Sequence, residues 1–543
     1  MKTNKGKMFL TAMAILFSIF INEGVNAQNG SIETVGSQKI LNLWGTNYEM
    51  GYAHGYLMAS EIRDLVDNVM IGYFSDGYVS DYNQLLADDV SMVTWRPEYL
   101  EEINGMAAGM AASGKNIYVS KLGRNVDARD IRAFNLVAEY IACSSLGVWG
   151  NGTANGETLL GRNMDFYVDP KGNLVNYQML ITFEPAVGNK VVAFSLPGWI
   201  GVHSGMTGEG ISLMINMGYA GTDNRSGLSP SMEVMRRILD NVTPQNFLTT
   251  PLSIVSSVFE YSTFAIQMGS PYLGGSDPVY YVEDGVGSSN VNRFAADTNP
   301  GYQYIIATNH FLKLPGDRDS GSTQRYDRLK NGLLNLYSTG DFKVDSTEVR
   351  SLLNSVADYD WSTHLQVIIR PNRMEFDLAF AKKVSGVFTG VRSVPVQTYK
   401  LTDLFPNHDP NNPNPPPPPP PPPTGNPDLT VSSISAPASG IRRCQVITVS
   451  DTTRNSGAFP SEASITKFYL SKNSSLDTSD TYLGLRSVSA LGKGALSSGS
   501  TQITIPCGIP TGYYYIIGMA DADKVITETN EGNNTRSRML SIR

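Results

Sequence analysis

The residues best suited to covalent chemistry lie in two short runs. Ile141-Ala142-Cys143-Ser144-Ser145-Leu146-Gly147 carries one of three cysteines, and Gly161-Arg162-Asn163-Met164-Asp165-Phe166 follows it. The other two, Cys444 and Cys507, lie far away in a region of different composition, so Cys143 is the odd one out. An unpaired cysteine in a secreted chain is either a small buried hydrophobe or a reactive thiol, and a reactive thiol needs a base. One source of a base is histidine. Of the five histidines, His203 and His310 sit in strand-rich parts and stand as candidate partners, giving a Cys–His hydrolase that stays one chain. The other source is the chain itself. A cut between Ala142 and Cys143 frees an α-amine with a reference pKa of about 7.7–8.0, held covalently beside the thiol. The same thiol can make that cut by attacking the Ala142 carbonyl to give a thioester that water resolves. Other chemistries lack their parts: there is no G-x-S-x-G elbow and no H-E-x-x-H, and three scattered cysteines cannot build a zinc cluster. No metal and no cofactor is assigned.

A longer pattern surrounds Cys143. It runs through Asn155-Gly156-Glu157-Thr158-Leu159-Leu160-Gly161-Arg162-Asn163-Met164-Asp165-Phe166, then Gly198-Trp199-Ile200-Gly201, then Gly205-Met206-Thr207-Gly208-Glu209-Gly210-Ile211-Ser212-Leu213-Met214-Ile215-Asn216. Thr308-Asn309-His310-Phe311 and Ser322-Thr323-Gln324-Arg325-Tyr326 follow in order. Over roughly residues 40 to 395 this resembles the N-terminal-nucleophile amidohydrolases, in particular the self-processing acyl-coenzyme A:6-aminopenicillanic acid acyltransferase family, with the choloylglycine hydrolases as relatives. The resemblance implies a four-layer αββα sandwich and hydrolysis or acyl transfer at linear amide bonds of small N-acyl substrates. It makes Cys143 the nucleophile and, through its amine, the base. Asp165 would hold that amine and Arg162 would sit beside the thiolate. Asn216 and Asn309 would donate amide N–H groups to the oxyanion, and Arg325, with Arg328 competing for the role, would add charge near the scissile carbonyl. Arg162 and Met164 depart from the acyltransferase pattern and bring the run closer to the choloylglycine side, leaving the acyl group and the amine open.

These residues need elements to position them. From Asn47 to Met70 apolar residues recur at helical spacing, and Val126 to Ala142 reads as another helix, so residues 28–142 are expected to be a largely helical segment of a precursor. Gly51 and Gly55 inside the first helix point to another backbone packed close, since glycine there costs about 1 kcal/mol against alanine, and His54 reads as structural. Beyond Cys143 the pattern becomes strand-rich: Gln178–Phe183, Val191–Leu196, Ile211–Asn216, Tyr304–Thr308, Leu365–Ile369 and Glu375–Ala381, with helices near Met232–Leu239 and Thr347–Val356. Residues 143–400 are therefore expected to form a layered α+β domain. Phe166, Tyr167, Trp199 and Tyr219 suggest a pocket for an apolar or aromatic acyl group.

The ends of the chain differ from this middle. Residues 1–27 read as a signal peptide: Lys2, Lys5 and Lys7, an apolar run from Met8 to Ile21, and Val25-Asn26-Ala27 as cleavage site. The apolar run is shorter than the roughly 18–20 residues that span a bilayer, so the chain reads as secreted, periplasmic or surface-held and not membrane-spanning. Residues 407–427 include an unbroken run from Pro415 to Pro423, a polyproline spacer. Residues 428–543 are Ser/Thr-rich, with strands at Leu429–Ile434, Ile465–Leu470 and Tyr513–Met519, indicating an immunoglobulin-like β-sandwich in which Cys444 and Cys507 could pair. The closing stretch Asp521–Asn534 resembles the hairpin of the adhesion-related CARDB module; its acidic residues read as a solvated hairpin. A cell-surface or glycan partner fits such a module, and an adhesion protein with an inactive enzyme-like domain is the non-catalytic alternative. Net charge is −8, with 42 Lys+Arg against 50 Asp+Glu, which leaves no basic footprint for nucleic acid.

Overall fold

A computed structural model describes residues 25–543 except 37, 76, 137–141, 166–173, 219–225, 261, 272, 275–276, 286–288, 340–342, 358–362, 406–425, 458, 460, 462 and 490. Most of the signal peptide, the proline run, Phe166, Tyr167 and Tyr219 lie outside the described residues. The chain divides into two compact units, residues 1–419 and 420–543.

The first unit has four layers. A ten-stranded sheet runs from Val25–Ala27 and Gly30–Val35 at one edge through Gln38–Gly45, Met179–Pro185, Val191–Ser195, Ser204–Thr207, Ser212–Met217, Phe264–Gly269 and Val279–Asp284 to Val291–Arg293. Its pairings are antiparallel except that Gln38–Gly45 lies parallel to Met179–Pro185. A six-stranded antiparallel sheet faces it, in the order Tyr304–Ala307, Ala142–Gly150, Gly156–Asp165, Thr363–Arg370, Glu375–Phe380, Gln397–Lys400. The sheets approach closely where side chains are missing: a Cβ on Gly147 would fall 2.7 Å from Val279 Cγ1. On the outer face of the six-stranded sheet, Leu146, Val148 and Leu159 pack with Leu329 and Leu333 of the Ser320–Thr339 helix and Val349 and Leu353 of the Ser346–Val356 helix. Helices Asn47–Leu65, Pro97–Ala112, Ala128–Leu136 and Ser231–Asn241 share the core of the ten-stranded sheet. Strands covered on both faces bury nearly every residue; Gly156–Asp165 is buried throughout except at Gly156.

Residues 28–142 are not simply helical. Their first part forms strands of the large sheet, and the last helix spans Ala128–Leu136, with Ala142 already in a strand. Strand Gln38–Gly45 is an interior member paired on both sides, which is why Ile40, Leu41 and Leu43 are all fully buried. The sandwich therefore begins well before Cys143, and its first helix docks by a glycine stripe. A Cβ on Gly51 or Gly55 would lie 1.9 Å from the carbonyl oxygens of Glu102 and Met106, and one on Gly105 or Gly109 would lie 2.2 Å or 2.0 Å from those of Tyr48 and Tyr52. Thr46 opens the Asn47–Leu65 helix with a capping box to Glu49.

The second unit is a sandwich of a three-stranded sheet (Leu429–Ser435, Val446–Asn455, Leu496–Thr504) and a four-stranded one (Thr481–Val488, Ser464–Ser471, Gly512–Met519, Thr535–Ile542). Cys444 and Cys507 are bonded, their Cα atoms 4.5 Å apart. In the closing hairpin, Asp521 accepts from the backbone N–H of Ile526 at 3.0 Å, and Glu528 from Asn534 Nδ2 at 2.6 Å and from Leu429 N. Asp521 and Glu528 are thus buried and not solvated as expected, since they satisfy backbone groups of the hairpin and of the module's first strand.

The glycine stripe gives a direct test. Gly55→Ala inserts a methyl against a backbone carbonyl that cannot rotate away, so denaturant unfolding should show a loss of about 1–3 kcal/mol or more, while Gly114→Ala, where a Cβ meets nothing within 4 Å but φ is +69°, tests the separate cost of a left-handed turn.

Candidate active site

Cys143 is the second residue of the Ala142–Gly150 strand and is fully buried between the sheets. The neighbouring strand Tyr304–Ala307 pairs only as far as Ala307 opposite Ser145. Beyond that point side chains replace the ladder. Cys143 N donates to Asn309 Oδ1 at 3.0 Å, and Cys143 O accepts from Arg325 Nη1 at 2.7 Å. Arg325 also donates from Nη2 to Asn309 Oδ1 at 2.7 Å and from Nη1 to Ser144 Oγ at 2.8 Å. Backbone groups of a buried strand end must find partners, and here they are two polar residues delivered by a loop and a helix.

The sulfur has a different neighbour. Arg162, on the paired strand and fully buried, donates from Nη2 to Cys143 Sγ at 2.8 Å. Its Nη1 donates to His203 O at 3.1 Å and to Ser204 Oγ, with His203 Nδ1 also at 3.1 Å. Burial pushes the Cys143 thiol above its ordinary value, opposed by the Arg162 guanidinium and reinforced by Asp165. His203 is driven well below its ordinary value by burial and by Arg162, so its ring is neutral.

Asp165 ends its strand opposite Ala142. It accepts from Thr363 Oγ1 at 2.5 Å and stands 3.5 Å from Arg325 Nη1. Asn216 is buried on the facing sheet, its Nδ2 donating to Ser145 Oγ at 2.8 Å and its Oδ1 lacking a protein partner. Ser145 Oγ also meets Tyr281 OH at 2.8 Å. The six expected residues thus come together around one strand end. Asn309 turns its amide oxygen toward the Cys143 nitrogen and one N–H toward Met217 O at 3.1 Å, so it meets Cys143 as an acceptor and not as the expected donor. Arg325, not Arg328, reaches the cysteine; Arg328 donates to Ser355 O. His203 stands behind the guanidinium, and His310 bonds Ser322 Oγ at 2.8 Å. Thr363, Ser145 and Tyr281 were not read from the sequence, where lone polar residues in apolar strands carry no local signal.

The loop carrying Trp199 is fastened from the N-terminal part. His54 Nε2 accepts from Gly198 N at 2.8 Å; burial lowers its pKa to about 3, so it stays neutral. Asn135 donates to Gly198 O at 2.8 Å and accepts from Ile200 N at 2.9 Å. Trp199 and His203 line a cavity of about 20 Å³ with Met164, the residue paired with Cys143. Phe380 and Leu196 line it further on.

A layered αββα sandwich with a buried cysteine at a strand start, followed by an immunoglobulin-like sandwich, is the class that fold and site define. Residues 426–538 match the CARDB family. Protein dcd1A of Dictyostelium discoideum is 27% identical over 231 residues, 37% of this chain and 49% of its own length. The chain spans about half the length of the curated relatives it matches. Among solved structures, a Caenorhabditis elegans ortholog of N-acylethanolamine-hydrolyzing acid amidase is 18% identical, covering 42% of this chain and 93% of its own, with a TM-score of 0.33. A mutant of the conjugated bile acid hydrolase of Clostridium perfringens is 13% identical, covering 49% and 95%, with a TM-score of 0.32.

The thiol's state is measurable. Burial and protonation should keep Cys143 unreactive toward an aromatic disulfide reagent at neutral pH in the folded, uncut chain. Denaturation without reductant should then release one thiol equivalent, Cys143 being the one free cysteine among the described residues.

Proposed function

We propose that this chain is an exported precursor that cuts itself between Ala142 and Cys143 and then hydrolyses, or transfers the acyl group of, linear N-acyl amides. The observation that carries the reading is the treatment of Cys143. Its sulfur meets Arg162, its nitrogen meets Asn309 Oδ1, and its carbonyl meets Arg325. The backbone of any buried cysteine needs such partners, but a structural cysteine needs no guanidinium on its sulfur.

In the precursor, Sγ attacks the Ala142 carbonyl carbon, the carbon–nitrogen bond breaks, and the Cys143 nitrogen leaves as an amine. Water then resolves the thioester, leaving the Ala142 carboxylate and a free thiol. In the cut enzyme the amine, held by Asn309 Oδ1 with Asp165 nearby, takes the thiol proton as sulfur attacks the substrate carbonyl. Arg162 favours the thiolate. Asn216 Nδ2, which donates one N–H to Ser145 Oγ and keeps a second, is the donor assigned to the oxyanion, and Arg325 fixes the Cys143 carbonyl and the Asn309 oxygen. The protonated amine then gives its proton to the leaving nitrogen. Attack on the acyl-enzyme by water gives hydrolysis, and attack by another amine gives acyl transfer.

Intact-mass analysis separates the alternatives. Purified protein should appear as residues 28–142 and 143 onward, and Cys143→Ala should abolish both the cut and hydrolysis of N-acyl amides. Asn216→Ala should leave a cut enzyme with kcat lower by roughly 10²–10³. An uncut chain that is nevertheless active would overturn the reading; activity lost with His203→Ala while the chain stays whole would favour the Cys–His mechanism.

A further inference from the structure

The cavity lined by Met164, the cross-strand partner of Cys143, has a direction. On the six-stranded sheet it is lined by Met164, opposite Cys143, then by His364 on the next strand, then by Phe380 on the one after. On the facing sheet it passes from His203 to Ser195 and then Gln178, next to Met179 on the following strand. At about 4.8 Å per strand, Cys143 to Phe380 is roughly 14 Å, three strand spacings. Walls of this kind suit an extended acyl chain leading away from the sulfur. In the uncut chain the space of about 20 Å³ holds little more than a water. Entry of a chain therefore needs a side chain to yield, and Met164, unbranched with three rotatable bonds, is placed to do so.

Beside the rings of His203 and His364, two further polar side chains break the apolar wall. Ser195 is 3% exposed and its Oγ has no protein partner. Gln178 Oε1 is likewise buried without a protein partner, while its Nε2 is fixed by donation to Ala381 O at 3.2 Å, which fixes the oxygen's place. Leaving such groups unmatched against a purely hydrocarbon ligand is costly. Ser195 can donate and accept, and Gln178 Oε1 can only accept. A hydroxyl can serve either group, accepting from Ser195 or donating to Gln178, whereas a carbonyl could answer only the serine. We propose that the acyl group taken by this site is an extended chain bearing a hydroxyl, recognised by Ser195 and Gln178. This inference rests on the amidase reading above for its catalytic test.

Cut enzyme is assayed with p-nitroanilides of dodecanoic acid and of its 3-, 6- and 9-hydroxy derivatives. One hydroxylated isomer should exceed the unsubstituted chain in kcat/KM by roughly tenfold or more. Ser195→Ala and Gln178→Leu should each return that ratio toward unity. The proposal is overturned if the unsubstituted chain is the best substrate, or if the preference survives Ser195→Ala. Should no anilide be hydrolysed, the amidase reading fails, and calorimetry decides the inference by itself. The free hydroxy acids should then bind the Cys143→Ser protein more tightly than dodecanoic acid, and equal binding overturns it.

Discussion

A buried guanidinium sets the terms for this site. Arg162 is fully enclosed between two sheets, and a charge in that position is costly unless its surroundings answer it. Among the described residues its contacts are the neutral His203 ring and carbonyl, the Ser204 hydroxyl and the Cys143 sulfur. The sulfur is the member of that set that can become an anion. Arg162 therefore favours negative charge at Sγ, while burial of the sulfur opposes it, and the balance in the intact chain leaves the thiol raised. Any step that admits polar groups or a cation beyond Arg162 and Arg325 near Cys143 shifts that balance toward thiolate. Conversion of the Cys143 amide nitrogen to a protonatable amine is such a step.

The N-terminal part is built into the layer that carries this arrangement. Strand Gln38–Gly45 is hydrogen-bonded between Gly30–Val35 and Met179–Pro185. Helix Asn47–Leu65 crosses Pro97–Ala112 with backbones in contact, and His54 and Asn135 together hold Gly198 and Ile200. Trp199, which lines the cavity with Met164, is thus positioned from residues that precede Cys143. A break before Cys143 would leave those hydrogen bonds and that sheet intact, because none of them runs through the Ala142–Cys143 bond. Loss of the segment would instead unpair the Met179–Pro185 strand and expose it around Leu180 and Ile181.

How much of this the sequence disclosed depended on the kind of signal. Cys143 is legible as the odd cysteine, Arg162 and Asp165 through the family resemblance that their run carries, and the strands Val191–Ser195 and Thr363–Arg370 because their apolar runs are bounded by turn residues. The strands before Thr46 are hidden because two helical patterns, beginning at Asn47 and at Val126, set the expectation for the whole of residues 28–142. Gly156–Asp165 was not recognised as a strand, since a fully buried strand has no alternation to show. Asn309 was found but its orientation was not, because which end of an amide faces a partner is decided by Met217 O, a backbone atom distant in sequence. Ser195 and Gln178 had no signal at all; only burial without a protein partner marks them.

The chain also holds a disulfide and a thiol together, and this places a demand on the fold. Conditions under which Cys444–Cys507 persists are conditions that oxidise accessible thiols, most readily those with thiolate character. Cys143 sits next to a cation and would be vulnerable if it were exposed. Enclosure between the sheets withholds both solvent and oxidant from it, and the raised pKa removes the reactive form. Mispairing is limited as well, since the two bonded cysteines belong to a separate compact unit with a core of its own around Val449, Phe468 and Ile516. The burial that costs Arg162 its solvation is thus the same feature that keeps the sulfur reduced, so a more open site would gain access at the risk of losing its nucleophile.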